Sequence, residues 1–234
     1  FVIEPLHSGY GMTLGNSLRR VLLSSIEGAA ITSFRVEGAS HEFTALDGIK
    51  EDVVAIMQNL KQIRFKVHSD EPQTLVIEAS KKGEVTAKEI TTNSDVEVIN
   101  TDQYIATIDS AKSLKIEIVV EKGRGYRTVE ESSVTRQSTD FIALDAVFSP
   151  VLRVRYNVEN TRVGQMTNLD KLNITAETDG SITPRDAFEQ ASAILANQYQ
   201  ALAGKTTVAS VQLVEAVAVG EEEGSKEEED ALAA

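Results

Sequence analysis

The chain sets a helical segment at each end of a long run of strand-like segments, and this spacing limits its fold more than any other feature. Apolar residues at three- and four-residue steps predict helices over 12–25, 50–62 and 184–203. The middle one carries the stripe Ile49, Val53, Ile56, Leu60 and Ile63. The last has the clearest limits: Thr183 as N-cap, Pro184 at the first helical position, Asp186 in the first turn and Gly204 just past the end. Between the end helices lie ITSFRVEG (31–38), TLVIEA (74–79), VEVIN (96–100), QYIATI (103–108), SLKIEIVVEKG (113–123), VLRVRYNVE (151–159) and KLNITAET (171–178). In SLKIEIVVEKG, Leu114, Ile116, Ile118 and Val120 share one face. Strands follow strands with no βαβ rhythm, so the expected class is α+β on antiparallel sheet. The strands over 151–159 and 171–178 are separated by a loop and suit a hairpin, after which TDGSIT leads into the last helix.

An economical arrangement is a discontinuous domain built from both chain ends, with residues 28–150 inserted as a second unit. After Gly204, VASVQLVEAVAVG reads either as a frayed extension or as a short docking strand. The segment EEEGSKEEED (221–230) holds seven acids and one Lys and reads as a solvated linker or tail.

Charge narrows the function classes. The 234 residues carry a net charge of −13, of which the acidic segment supplies −6. Such a chain repels a phosphate backbone, so primary DNA or RNA binding is not expected of it. There are no cysteines, which excludes disulfides, thiolate zinc sites and Cys nucleophiles and fits a reducing compartment. His7, His41 and His68 stand alone, without a second ligand at metal spacing. No run of about 18 apolar residues offers a membrane span. The opening FVIEPLHSGY has neither the basic start nor the apolar core of a secretory signal, and the lack of an initiating Met points to a start further upstream. No Ser/His/Asp set, paired carboxylates or Mg²⁺-binding aspartate cluster stands out, so no catalysis and no cofactor is expected of the chain alone.

The stretch GYGMTLGNSLRRVLLSS (9–25) looks at first like a phosphate-binding loop. A Walker A loop needs G-x-x-x-x-G-K-[ST]; with Gly15 as its second glycine, the first falls on Tyr10 and the Lys on Asn16. A dinucleotide fingerprint fits Gly9 and Gly11 but puts Leu14 at its third glycine, and no following parallel strand is evident. The glycines read better as a tight entry turn. In the helix, Leu14, Leu18, Val21, Leu22 and Ile26 form one apolar face, while Arg19, Arg20 and Leu23 fall off it. Two readings of Leu23 stand side by side: an apolar anchor among guanidiniums at an interface, or an isolated exposed leucine. In the last helix, Phe188, Ala191, Leu195, Tyr199 and Leu202 make a seam, slimmed by Ala187, Ala193, Ala196, Ala201 and Ala203. That seam serves either the chain's own core or a dimer. In EKGRGYRT (121–128), Lys122, Arg124 and Arg127 surround two glycines and Tyr126, which suits a strand-ending loop better than RNA contact. Nucleotide or nucleic-acid binding through Gly9–Gly15 and GRGY remains the rival reading.

Several segments, in order, carry a family resemblance: EPLHSGYGMTLGNSLRRVLLSSIEGAAITSFRVEG, HEFTALDGIKEDVVAIMQNLK, VTAKEITTNSDVEVIN, EKGRGY, FSPVLRVRYNVENTRVGQMTNLDKLNI and TDGSITPRDAF. Over residues 1–204 the chain resembles the amino-terminal domain of the bacterial RNA polymerase alpha subunit; plastid enzymes have a similar subunit. The resemblance implies a dimerisation subdomain over 1–27 and 151–204, made of antiparallel sheet plus two helices. It implies an inserted mostly-β subdomain over 28–150, with 205–234 as an acidic linker. It implies a cytoplasmic homodimer, paired through Leu18, Leu22, Phe188, Ala191, Leu195, Tyr199 and Leu202, that docks the beta and beta-prime subunits. Arg19 and Arg20 match the family's arginine pair and Leu23 its downstream leucine, at the beta contact. Lys61 and Leu144 match beta-prime contacts, Leu144 where the family has Val. Met166 stands where the family more usually has a basic residue. The family's leading strand before EPL is expected to be missing, and its DNA- and activator-binding C-terminal domain has no counterpart in these residues.

Overall fold

In the computed structural model, which describes residues 1–39, 41–109, 113–134 and 140–204, the elements follow one another in two groups. The chain opens with β1 (Val2–Leu6), α1 (Tyr10–Ser24), β2 (Glu27–Val36) and α2 (Val53–Leu60). Short strands come next: β3 (Phe65–Val67), β4 (Gln73–Ala79), β5 (Gly83–Thr86), β6 (Ile90–Thr91), β7 (Val96–Val98) and β8 (Tyr104–Ile108). Then come β9 (Leu114–Arg124), β10 (Tyr126–Arg127), α3 (Val129–Val134), β11 (Ile142–Ala143) and β12 (Ala146–Val147). The chain returns through β13 (Val151–Val163), β14 (Met166–Thr178) and α4 (Pro184–Ala203). The class is α+β, and every strand pairing among the described residues is antiparallel.

Two hydrophobic clusters organise these elements. The larger lies against the sheet ordered β6-β4-β9-β2-β3-β7, with β11 also pairing β2. Alternation in β9 puts Leu114, Ile116, Ile118 and Val120 on the buried side, and α2 covers them with Val53, Ile56 and Leu60. That helix is shorter than its stripe suggests, because Asp52 caps it by accepting from the Ala55 N–H at 2.7 Å. The smaller cluster joins Leu18, Leu22 and Ile26 to Val151, Val154, Leu172, Ile174, Ala187 and Ala191, thus α1, the β13–β14 hairpin and α4.

The hairpin is tighter than a loop between 159 and 171 would make it. β13 and β14 pair from Val151↔Thr178 out to Val163↔Met166, turning at Gly164-Gln165 with Gly164 at φ 60. A strand also leads the chain, against expectation: β1 pairs β14, with Val2↔Asn173 and Ile3↔Leu172. β9 continues through Arg124, so EKGRGYRT is strand on both sides of Gly125 and not a loop. VASVQLVEAVAVG and the acidic segment lie outside the described residues.

Candidate assembly interfaces

The entry to α1 settles what its glycines do. Asp170, 7% exposed on β14, accepts from the Gly9 N–H at 2.9 Å and the Gly11 N–H at 3.0 Å through one oxygen. The amide-lined, dipole-positive end of the helix is therefore filled by the chain's own carboxylate. A Cβ on Gly11 would stand 2.7 Å from Val158 Cγ1, and one on Gly15 would stand 2.6 Å from Tyr156 Cδ2. These glycines let α1 lie directly on the hairpin. The Gly9 and Gly11 amides are thus already taken and are not left for a phosphate.

With α1 pressed down on that side, Arg19 and Arg20 are left exposed on the other. Neither guanidinium has a hydrogen-bond or ion-pair partner among the described residues. Leu23 is not free beside them: it is half-buried and packs on the smaller cluster. Its helical angle puts it off the apolar stripe, but the covering elements wrap further round α1 than the stripe itself.

The seam of α4 divides in two. Ala187 and Ala191 are fully buried, and Phe188 and Leu195 pack on the same cluster. The small residues thus bring α4 close to the chain's own α1, and Phe1 stacks on Phe188 with ring centroids 4.3 Å apart. Leu18, Leu22 and Ala191 are internal to the single chain, so their side chains cannot themselves face a second copy. From Ala196 to Gly204 every residue is exposed. Tyr199 is 53% exposed and Leu202 82%. The helix is held at its start, where the Thr183 hydroxyl accepts from the Asp186 N–H at 3.1 Å, and its second half runs clear of the chain.

Lys61, at the end of α2, forms an ion pair with Asp145, which Tyr126 also approaches at 3.3 Å through its hydroxyl. The Lys61 ammonium holds the Asp145 carboxyl below the usual carboxylate range, against the opposing effect of partial burial. Tyr126 is 58% exposed and lies opposite the exposed Val147 across β10–β12. Leu144 is not at this surface: it is 0% exposed in the larger cluster, its N–H donating to Thr32 O at 2.8 Å. Its burial anchors the segment that carries Asp145 outward.

The basic residues of EKGRGYRT are occupied. Lys122 donates to His68 O and Asp70, both at 2.9 Å, and Arg127 pairs with Glu121 at 2.6 Å. Arg124 stands 3.9 Å from Glu27. Among the described residues no group of His, Asp and Glu is placed to hold a metal, and no helix is long and apolar enough to cross a membrane.

Pattern reading missed Asp170 and Asp145, and it gave Tyr126 no place beside Lys61. Asp170 had a signal: it alternates with Leu172 and Ile174, so a carboxylate sits in the core-facing register of a strand. Asp145 and Tyr126 are brought to Lys61 across 84 and 65 residues of chain, and no local spacing announces that.

The sequence profile of the RNA polymerase Rpb3/RpoA insert domain matches residues 31–149, a little over half of the chain. DNA-directed RNA polymerase subunit alpha of Oceanobacillus iheyensis is 49% identical over 206 residues, covering 88% of this chain and 66% of its own length. The alpha subunit of Moorella thermoacetica is 48% identical with the same coverage. That of Desulforamulus reducens is 47% identical over 215 residues, 92% of this chain and 68% of its own. The chain spans about two thirds of the length of these curated relatives. With half the chain matching the insert-domain profile and near-half identity along most of the rest, the chain belongs to the bacterial RNA polymerase alpha-subunit family.

Proposed function

We propose that the chain is a non-catalytic assembly subunit of DNA-directed RNA polymerase, a cytoplasmic homodimer that docks the beta and beta-prime subunits. The observation that carries this reading is a pair of exposed faces, the paired arginines of α1 and the second half of α4. Arg19 and Arg20 project from a rigid helix without partners among the described residues, in a chain of net charge −13. Paired guanidiniums on a fixed helix suit planar carboxylates on another protein. The second half of α4 carries Tyr199 and Leu202 into solvent. Burying Leu202 against a second copy returns about 1.5–3 kcal/mol, and a helix end without tertiary cover is marginal in water.

The division of labour follows the two clusters. Residues 1–27 and 151–204 form the dimerisation subdomain, 28–150 the inserted mostly-β subdomain, and 205–234 the acidic linker. The dimer contact runs along the free half of α4, with Phe188 and Leu195 at its inner edge and Leu18, Leu22 and Ala191 supporting it from beneath. Arg20, flanked by Arg19 and the half-buried Leu23, serves the beta side. Lys61, set by Asp145, serves the beta-prime side, with Leu144 acting as the anchor under that surface. DNA contact is not a property of these residues; it belongs to any C-terminal domain of the full chain.

Size-exclusion chromatography with light scattering on the full chain, alone and mixed with separately expressed beta and then beta-prime, tests the reading. A dimer that binds beta and then recruits beta-prime is expected. A monomer that captures neither partner contradicts it.

A further inference from the structure

The chain passes between its two hydrophobic clusters twice. Outward, it leaves the smaller cluster at Ile26 and enters β2 at Glu27; returning, it leaves β12 at Val147 and enters β13 at Val151. Both passages meet at one place. A Cβ on Gly28, in the outward passage, would collide with the carbonyl oxygen of Phe148 in the return passage. Gly123 lies directly across from Gly28 in the β2–β9 register. A Cβ there would come within 2.9 Å of three Phe148 ring atoms.

Two facing glycines leave a notch in a sheet whose other positions carry side chains; Phe148 occupies it, its carbonyl over Gly28 and its ring over Gly123. Phe148 is 1% exposed, yet it lies between the two clusters and within neither. Its N–H donates to Gly125 O at 2.9 Å. The Arg127 guanidinium, fixed by Glu121, sits 5.0 Å over the ring centroid. Beside this place opens a cleft of about 420 Å³. Phe65, Lys66 and Lys122 line one wall of it, and Ser181, Thr183 and Gln190 the other. Near it the two bodies also touch at Gly180, where a Cβ would stand 3.2 Å from Ile99 Cγ2.

We propose that Phe148 is a positioning residue: keyed into the Gly28–Gly123 notch, it fixes the angle between the sheet body and the hairpin–helix body. The two passages carry the covalent connection, and the ring wedged at their meeting point resists their turning about each other. Arg20 is on one body and Lys61 on the other, so this angle sets how far apart the two exposed faces stand. The inference concerns the isolated chain and stands apart from the identity of its partners.

The chain has no native cysteine, so Lys66→Cys and Gln190→Cys put spin labels on opposite cleft walls and nowhere else. Pulsed dipolar distances are measured in the full chain diluted into unlabelled copies. A Phe148-containing chain is expected to give one narrow distance population. Phe148→Ala is expected to broaden or shift it while circular dichroism keeps its shape, and Phe148→Leu, which half-fills the notch, is expected to fall between. An unchanged distribution in Phe148→Ala overturns the proposal, as does a broad one with Phe148 in place. If Phe148→Ala fails to fold, Phe148→Leu decides: a broadened distribution supports the proposal and an unchanged one overturns it.

Discussion

Asp170 holds Gly11 by a single hydrogen bond of 3.0 Å from the Gly11 N–H, and the same carboxylate oxygen holds Gly9 at 2.9 Å. One buried side chain on β14 thereby docks the start of α1, 159 residues away in sequence, and aims the arginine face at its far side. Cutting Asp170 to Ala leaves two amides without their acceptor. The expected cost is about 1–3 kcal/mol of unfolding free energy, read by urea denaturation. Asp170→Asn keeps an acceptor oxygen and is expected to lose less. Equal losses in the two variants would mean that the carboxamide oxygen cannot replace the carboxylate.

The same geometry predicts no nucleotide binding at Gly9–Gly15. Equilibrium dialysis with labelled ATP is expected to show no retention by the chain. Saturable retention abolished by Gly9→Ala would reverse the assignment of this entry.

Gly15 is on the buried face of α1, where Tyr156 and Leu172 rise to meet it, with a Cβ standing 2.6 Å from Tyr156 Cδ2 and 3.0 Å from Leu172 Cδ1. Gly15→Ala gains helix propensity, worth about 1 kcal/mol. It overpacks a closed contact at about 1–3 kcal/mol, so a net loss of stability is expected. Thermal unfolding checks the sign; a stabilised variant would show that the hairpin yields to the methyl.

These contacts show what was legible in the sequence. The Thr183–Pro184 start and Gly204 end of α4, the α2 stripe and the β9 alternation are local signals, and the structure repeats them. Leu23, Leu144, Leu18 and Ala191 are different. Their exposure depends on which element lies over them, and a helical angle or a motif position does not carry that information. A seam of small residues on α4 reads the same whether α1 of one chain or a second chain lies against it. Here the buried alanines face the chain's own α1 cluster and only the last turns remain open.

The open turns of α4 give a clean dimer test. Leu195→Asp would damage the chain's own cluster, on which Leu195 packs, and so would not isolate a dimer contact. Leu202, 82% exposed, touches little of its own chain. Leu202→Asp is expected to weaken self-association by roughly tenfold or more without lowering the melting temperature of the monomer. Unchanged sedimentation at every concentration would remove α4 from the dimer contact.

The Lys61–Asp145 pair predicts a pH signature. Asp145 titrates below its ordinary value because Lys61 hydrogen-bonds to it. The pair therefore contributes fully above about pH 3.9, the unfolded value, and its contribution is lost as pH falls through the lower folded value. Lys61→Met is expected to raise the Asp145 value towards the ordinary range, followed by carboxyl carbon shifts. At neutral pH it is expected to cost no more than about 1 kcal/mol. An Asp145 titration indifferent to Lys61→Met would show that the pairing is not formed in solution.

The proposed docking of beta on the arginine face of α1 is tested most directly by Arg20→Ala in the full chain mixed with the beta subunit. The variant is expected to keep the dimer's mass by light scattering and the parent's melting temperature, while beta no longer co-elutes with it. Beta retained at the parent level by the Arg20→Ala dimer would contradict the account.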